Sequence, residues 1–325
     1  MLTNMDENYR GKGKAMKKIL AIFAVMAFSV MFYGPKATEA VCAGQTFGSH
    51  AEFNSPQAVA VDASGNVFVA DTSNNRVVEF SPSSGTWKTF GYGPGGGTGQ
   101  FTSPCAIAVD ASGNVFVMDQ TGSYPTYYHR IVEFNPSNFL GTWKAFSGFY
   151  YWNSNTSIAV DASGNVWLAE GTYVEELNPS TGARTTFGSS GHGTGQFQKS
   201  WYLAVDASGN IWVADTGNND NRIDEFNPSD FSGTWTAYVN LAGTDIGQLY
   251  NPEGVTEDAT GNVWVADTSD NQIDEFNPSD FSGTWKTFST SGAPYGIAVD
   301  NATGNVWVAE GGLGELARPP AHGPQ

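Results

Sequence analysis

Residues Val61–Asp71 read VDASGNVFVAD, and this phrase is written six times along the chain. It returns as VDASGNVFVMD from Val109, VDASGNVWLAE from Val160 and VDASGNIWVAD from Val205. It returns again as EDATGNVWVAD from Glu257 and VDNATGNVWVAE from Val299, the last with one extra turn residue. The leading acids Asp62, Asp110, Asp161, Asp206, Asp258 and Asp300 stand 42 to 52 residues apart. A period of that length, with several short strands per unit, is the sequence sign of a β-propeller. Six copies predict an all-β, six-bladed propeller of four-stranded antiparallel blades.

One unit shows how a blade is encoded. Gln57–Asp62 reads as a first strand, and Asp62–Asn66 as a tight turn. Asp62 can accept backbone N–H bonds there, and Gly65 can take the positive φ that closes the hairpin. Val67–Asp71, Arg76–Phe80 and Thr86–Phe90 follow as the second, third and fourth strands. Every copy has a small residue in its first strand: Ala60, Ala108, Ala159, Ala204, Thr256 and Ala298. Every copy has a large aromatic in its second: Phe68, Phe116, Trp167, Trp212, Trp264 and Trp307. Small beside large, in every unit, is what closely stacked sheets require.

The rest of the chain fits a single large β domain. Of its 325 residues, 40% are hydrophobic and only 14% charged. Met16–Ala40 has a basic start (Lys17, Lys18), an apolar run from Ile19 to about Tyr33, and small residues before Ala40. That is a signal-peptide pattern, with Met16 as the expected initiator and residues 1–40 removed on export. The run is too short for a membrane span, which needs roughly 20 residues. Residues 41–318 then form the propeller and 319–325 a Pro-rich tail. Without residues 1–40 the chain keeps nine basic and 29 acidic residues, a net charge of −20. Such a surface repels phosphate backbones and excludes nucleic acid as a partner class. The expected location is outside the cytoplasm: extracellular, cell-surface or periplasmic.

The sixth copy stops early. Asp300–Glu310 and Gly314–Arg318 give three strands, and Pro319 and Pro320 follow. Gly44–Pro56 (GQTFGSHAEFNSP) parallels Lys88–Pro104 (KTFGYGPGGGTGQFTSP). The N-terminal strand around Gln45–Gly48 is therefore expected to complete the last blade and leave no open sheet edge.

With strands and turns in place, the repeat P-x-G-(I/V)-A-V-D-x-x-G-N-(V/I)-x-V-A-D-T-x-x-N-R-(I/V)-x-x-F resembles the NHL repeat. Ser55–Phe80 matches best, with strong matches at residues 200–226 and 251–276. The resemblance spans about residues 45–317 and implies a propeller. NHL-type propellers include extracytoplasmic sensors, scaffolds, RNA-binding domains and a few lyases, so the resemblance leaves function open.

In a propeller the first strands line a central channel, and one mouth gathers the variable loops. Two constellations fall there. The residue five before each leading acid differs in every copy: Gln57, Cys105, Thr156, Trp201, Glu253 and Tyr295. These form either a ligand-facing ring or partly solvated residues closing the pore. A second group gathers Tyr124, Tyr127, Tyr128 and His129 in the stretched loop of copy two, with Phe149, Tyr150, Tyr151 and Trp152 in the next connection. Tyr and Trp on loops suit recognition of sugars or peptides, or simply pack the loop onto the rim.

The acids ending the second strands (Asp71, Asp119, Glu170, Asp215, Asp267, Glu310) repeat in every copy, which favours capping and pairing with Arg76, Arg130 and Arg222 over chemistry. Calcium at Asp215–Asp220 or Asp267–Asp270 has weak support, since the spacing lacks a full oxygen-ligand loop; no other cofactor or metal is expected. Cys105 belongs at the channel mouth and Cys42 near the opposite face, so no disulfide between them is expected.

Two functional classes follow, with a third beside them. Resemblance to streptogramin-type lyases implies an enzyme using a His–Glu set around a metal at the mouth. This chain offers only His50, His129, His192 and His322, without paired spacing. Were it a lyase, His192, Glu253 and Tyr295 would be the candidates. No nucleophile elbow, Walker loop or C-x-x-C is present. The sequence favours a binding or scaffold module for a protein, peptide or glycan, with a structural surface or matrix component as the other alternative. Oligomeric state is not encoded in any motif.

Overall fold

The computed structural model describes residues 53–121, 127–151, 157–217, 221–238, 247–290, 292–300 and 305–311. The first blade is Pro56–Val61, Val67–Asp71, Arg76–Ser81 and Thr86–Phe90, hydrogen-bonded in chain order. The second is Pro104–Val109, Val115–Gln120, Tyr127–Phe134 and Lys144–Tyr151. The third is Ile158–Val160, Val166–Ala169, Val174–Leu177 and Arg184–Phe187. The fourth is Ser200–Val205, Ile211–Asp215, Arg222–Phe226 and Thr236–Tyr238. The fifth is Pro252–Glu257, Val263–Asp267, Gln272–Phe276 and Lys286–Ser289.

This corrects the expected blade count. Five four-stranded blades are present among the described residues, not six; the sixth repeat forms a two-stranded sheet of Ala293–Asp300 and Asn305–Gly311. The closing strand expected around Gln45–Gly48 lies outside the described residues, as do residues 1–40, Cys42 and the Pro-rich tail. The first strands nevertheless stand side by side around one axis. Each neighbours the next, and Ala293–Asp300 lies between Pro252–Glu257 and Pro56–Val61.

The repeated turn works as its chemistry predicts. Asp62 Oδ1 accepts from the Ser64 and Asn66 backbone N–H groups, and Oδ2 accepts from Asn66 Nδ2, all at 2.8 Å. Asp110, Asp161, Asp206 and Asp258 repeat the arrangement. Gly65 sits at φ 77°, where a Cβ would be strained.

The small and aromatic positions are direct cross-strand partners. Ala60 faces Phe68, Ala108 Phe116, Ala159 Trp167, Ala204 Trp212 and Thr256 Trp264. The aromatics are buried, and each contributes on the order of 2–3 kcal/mol through burial. The core is not one mass but a series of seams between neighbouring blades. Phe68 and Phe90 of blade 1 pack with Val115 and Phe134 of blade 2. Met118 of blade 2 packs with Leu168 of blade 3, Trp167 with Val213 of blade 4, and Trp212 with Val265 of blade 5. Trp264 packs with Val308 of the sixth repeat, and Val67 and Val69 pack with Ala298.

A second repeated phrase widens three seams. Asn135–Trp143 reads NPSNFLGTW, and Asn227–Trp235 and Asn277–Trp285 read NPSDFSGTW. In each, the Trp stacks on the Phe ending the third strand: Phe134–Trp143, Phe226–Trp235 and Phe276–Trp285, at 16°, 7° and 6° between planes. The middle Phe (Phe139, Phe231, Phe281) meets that pair edge-on, the geometry that aromatic quadrupoles favour.

Candidate functional site

Five of the six described first strands start with the same irregularity; Ile158–Val160 of blade 3 pairs without it. Register shifts fall between Pro56 and Ala58, Pro104 and Ala106, Ser200 and Tyr202, Pro252 and Gly254, and Pro294 and Gly296. The skipped residues are Gln57, Cys105, Trp201, Glu253 and Tyr295, the variable positions singled out in the sequence. A β-bulge leaves one residue out of the ladder and re-aims its side chain. The scaffold therefore places one unpaired residue at the same end of each of these five inner strands. Gln57 is exposed, Trp201 and Tyr295 are half-buried, and Cys105 and Glu253 are buried. Thr156 lies outside the described residues.

Glu253 is the most constrained of the five. It is 4% exposed; Oε1 accepts from Asn251 Nδ2 at 3.1 Å, and buried Oε2 has no hydrogen-bond partner. Burial pushes its carboxyl up to about 7, partly offset by the Asn251 bond. Asn251 itself is left-handed, at φ 61°, and its N–H donates to Asn221 Oδ1 from blade 4 at 3.1 Å.

Tyr202, next to the blade 4 bulge, joins the group. Burial raises its phenol's pKa, with further contributions from Glu253, Cys105 and Tyr295. Residues from four repeats thus converge electrostatically on one place. Tyr202 was not singled out in the sequence, but a signal exists. The matched positions in the other described copies are Ala58, Ala106, Gly254 and Gly296. A tyrosine breaks that small-residue pattern, and the glycine of the next blade is beside it in the ring. Gly254 is tight on its other side: a Cβ there would approach the Tyr295 carbonyl oxygen to 2.9 Å. Cys105 Sγ donates to the Met118 carbonyl at 3.5 Å.

The aromatic group of copy two is built differently from the loops expected. Tyr127–Phe134 and Lys144–Tyr151 are strands, with Tyr127 opposite Tyr151, Tyr128 opposite Tyr150 and His129 opposite Phe149. Aromatic cross-strand pairs favour the pleated ladder over loop geometry, so the hairpin runs on past the expected strand ends. Tyr128 is 44% exposed, whereas His129 and Phe149 are each only 2% exposed. Burial lowers His129 to about 4, so it is neutral at pH 7. Tyr124 and Trp152 lie outside the described residues.

The strand-ending acids organise the scaffold. Asp71 pairs with Arg76 at 2.6 Å, Asp119 with Arg130 at 2.8 Å and Asp215 with Arg222 at 3.3 Å. The same carboxylates accept backbone N–H groups of the preceding connection, at Asn54, Thr102 and Ser103, and Gln198 and Lys199. Asp267 accepts from the Tyr250 N–H but faces Gln272, where the other three copies have arginine. Among the described residues no three His, Cys, Asp or Glu side chains are grouped to hold a metal ion. The loop 218–220 lies outside them. His192 is exposed, and its carbonyl accepts from Arg222 Nη1 at 2.9 Å. No helix among the described residues is long and apolar enough to cross a membrane.

Inner strands ringed about an axis, bulged at one end and bound by interblade seams, define a β-propeller with a candidate site at a channel mouth. Residues 53–80 match the NHL repeat family model. A streptogramin B lyase structure is similar, with 13% identity and TM-score 0.56 over 84% of this chain and 83% of that one. A catalytically inactive virginiamycin B lyase from Staphylococcus aureus, with quinupristin, gives 13% identity and TM-score 0.57 over 87% and 95%. An auxiliary nutrient binding protein from Bacteroides thetaiotaomicron gives 10% identity and TM-score 0.53 over 79% and 67%. At these identities the likeness shows the fold alone. A search of curated proteins finds no match.

Proposed function

We propose that this chain is an exported propeller that binds a protein, peptide or glycan at its channel mouth, as a binding or scaffold module. The observation that carries the reading is the bulge ring. Blades 1, 2, 4 and 5 and the sixth repeat share the same bulged backbone, and the residue each bulge frees is different: Gln57, Cys105, Trp201, Glu253 and Tyr295. A purely structural plug would tolerate repetition there as it does in the turns. The extended aromatic hairpin, with exposed Tyr128, adds a recognition edge. The signal-peptide pattern supports export, and the acidic surface supports partners other than nucleic acid. Similarity to a nutrient binding protein is consistent with a binding role.

A lyase reading takes its support from the streptogramin B lyase fold. It needs His192 to join Glu253 and Tyr295, and His192 lies in the exposed connection before blade 4. A structural surface component remains the third reading. The test is a pull-down from growth medium together with a glycan array, using the protein and its Tyr151→Ala/Trp152→Ala variant. Capture that falls at least about tenfold in the variant is expected. Undiminished capture removes the aromatic edge from the site; no protein or glycan captured at all ends the binding reading.

A further inference from the structure

Most deeply buried acids of the inner scaffold have a cation or several donors. Asp71, Asp119 and Asp215 each have an arginine and backbone N–H groups. Glu253 has one amide. Its Oε2 is buried without a partner, and no Lys, Arg or His forms an ion pair with it among the described residues. Glu170 Oε1 and Asp270 Oδ2 are bare as well, but neither stands at a bulge; a buried carboxylate oxygen left without a partner is a place where a donor belongs. The bulge aims this side chain out of the ladder at the same strand end as Tyr295, and Tyr202 lies within electrostatic reach of Glu253, Cys105 and Tyr295 alike.

We propose that Glu253, flanked by Tyr202 and Tyr295, is the anchor for a primary ammonium group on a peptide ligand. The assignment rests on the channel mouth being a binding site and names the chemistry it selects. An ammonium is a compact cation that can give one N–H to Oε2 and turn its remaining charge toward aromatic faces. The mouth already holds one such contact: Lys199 Nζ lies 5.4 Å from the Trp201 ring centroid. A guanidinium fits less well, because its planar fork uses both carboxylate oxygens and Oε1 is taken by Asn251. Among the described residues no group of three His, Cys, Asp or Glu side chains stands ready for a divalent metal. The net charge of −17 draws cations toward the channel.

Binding is coupled to protons. Burial holds the empty Glu253 carboxyl up to about 7, so an arriving ammonium displaces a proton below that pH. Affinity therefore rises from pH 6 to 8. The titratable groups facing Glu253 are Tyr202, Tyr295 and Cys105. Asp215 and Asp224 lie on the blade 4 strands behind it. Asp267 pairs with the start of the same strand, and Glu257 stands at its other end. The difference between the protein and Glu253→Gln isolates Glu253 from all of them.

The experiment is isothermal titration calorimetry at pH 6, 7 and 8 with four probes. They are N-acetyl-lysine methylamide, alanine methylamide with a free amino terminus, N-acetyl-arginine methylamide and N-acetyl-norleucine methylamide. At least one of the first two should bind, identifying side chain or terminus as the source. The arginine and norleucine probes should bind at least about tenfold more weakly. Glu253→Gln should lose at least about tenfold in affinity and all of its rise with pH, with its melting temperature at pH 6 unchanged. Absence of binding by both ammonium probes overturns the proposal, as does equal binding by norleucine or by Glu253→Gln. If Glu253→Gln does not fold, proton release decides: titration in buffers of different ionisation enthalpy must show protons leaving at pH 6, and none leaving refutes it. Should a macromolecule be captured at the rim while these probes fail, only the ammonium assignment falls.

Discussion

Asp267 and Asp274 are both fully buried, and Gln272 bridges them, its Nε2 reaching each carboxylate at 3.3 Å. In blade 4 the same places hold Asp215 and Asp224, with Arg222 Nε 2.9 Å from Asp224 and Nη2 3.3 Å from Asp215. One residue change thus removes the cation from a buried acid pair. Burial, then repulsion from Asp274 and Asp270, pushes Asp267 up to about 8, while burial lifts Asp274 to about 7. Gln272→Arg should restore the arrangement of blade 4. The expected gain is roughly 1.5–3 kcal/mol at pH 8, the worth of hydrogen bonds to charged groups. It should vanish near pH 5, where both acids are protonated. Thermal melts at the two pH values check this, and an unchanged melt at pH 8 would show that the pair needs no counter-charge.

At the scale of elements, the Gly-rich connections before blades 2 and 4 are held by the blades they lead into. Arg130 from the third strand of blade 2 donates to the carbonyls of Gly95, Gly96 and Gln100 while pairing with Asp119. Arg222 does the same for His192 and Gln196. These connections look like ligand loops in the sequence, yet they are clamped from beneath. Arg130→Leu should cost about 3–5 kcal/mol, because Asp119 is left as an uncompensated buried charge. It should also open residues 91–103 to proteases. Lys144→Ala, which removes the exposed partner of Glu133, should cost less than about 1 kcal/mol. Equal melting of the two variants would contradict the clamp.

The legible part of the molecule was the part that repeats. The turn acids, the turn glycines and the small–aromatic pairs were read correctly because each depends on neighbours within one unit. Tyr202 was not read, since it matters through the adjacent blade, and the NPS(N/D)F-x-GTW stacks were not read, since their rings meet only once the segment folds back on the third strand. The hairpin of Tyr127–Phe134 and Lys144–Tyr151 looked like loop because its extension rests on cross-strand pairing, which residue type alone does not register.

For the whole molecule, several buried acids have the same sign of shift. Glu170 and Asp267 are pushed up to about 8, and Glu253, Glu257 and Asp274 to about 7, in each case chiefly by burial. Unfolded, these groups titrate near 4. Between about pH 4.5 and 8 the folded chain holds more protons than the unfolded one, so stability falls as pH rises through that window. The melting temperature should peak near pH 5 and drop by several degrees by pH 8, with self-repulsion of a chain of net charge −17 adding to the trend. Differential scanning calorimetry from pH 4.5 to 8.5 tests it; a melting temperature that climbs with pH would refute the burial of these acids.

The sequence by itself determined the β-propeller architecture, the position of each turn and the residues between which the sheets stack. Those follow from local hydrogen bonding and from a period of 42 to 52 residues with several short strands in each unit. Only the tertiary structure decided that five four-stranded blades stand among the described residues, that a bulge frees one residue in five of the six described inner strands, and that Glu253 is buried with one oxygen bare beside Tyr202 and Tyr295. Burial and convergence depend on what neighbouring blades bring to the same axis, and that distance is set by the ring, not by the chain.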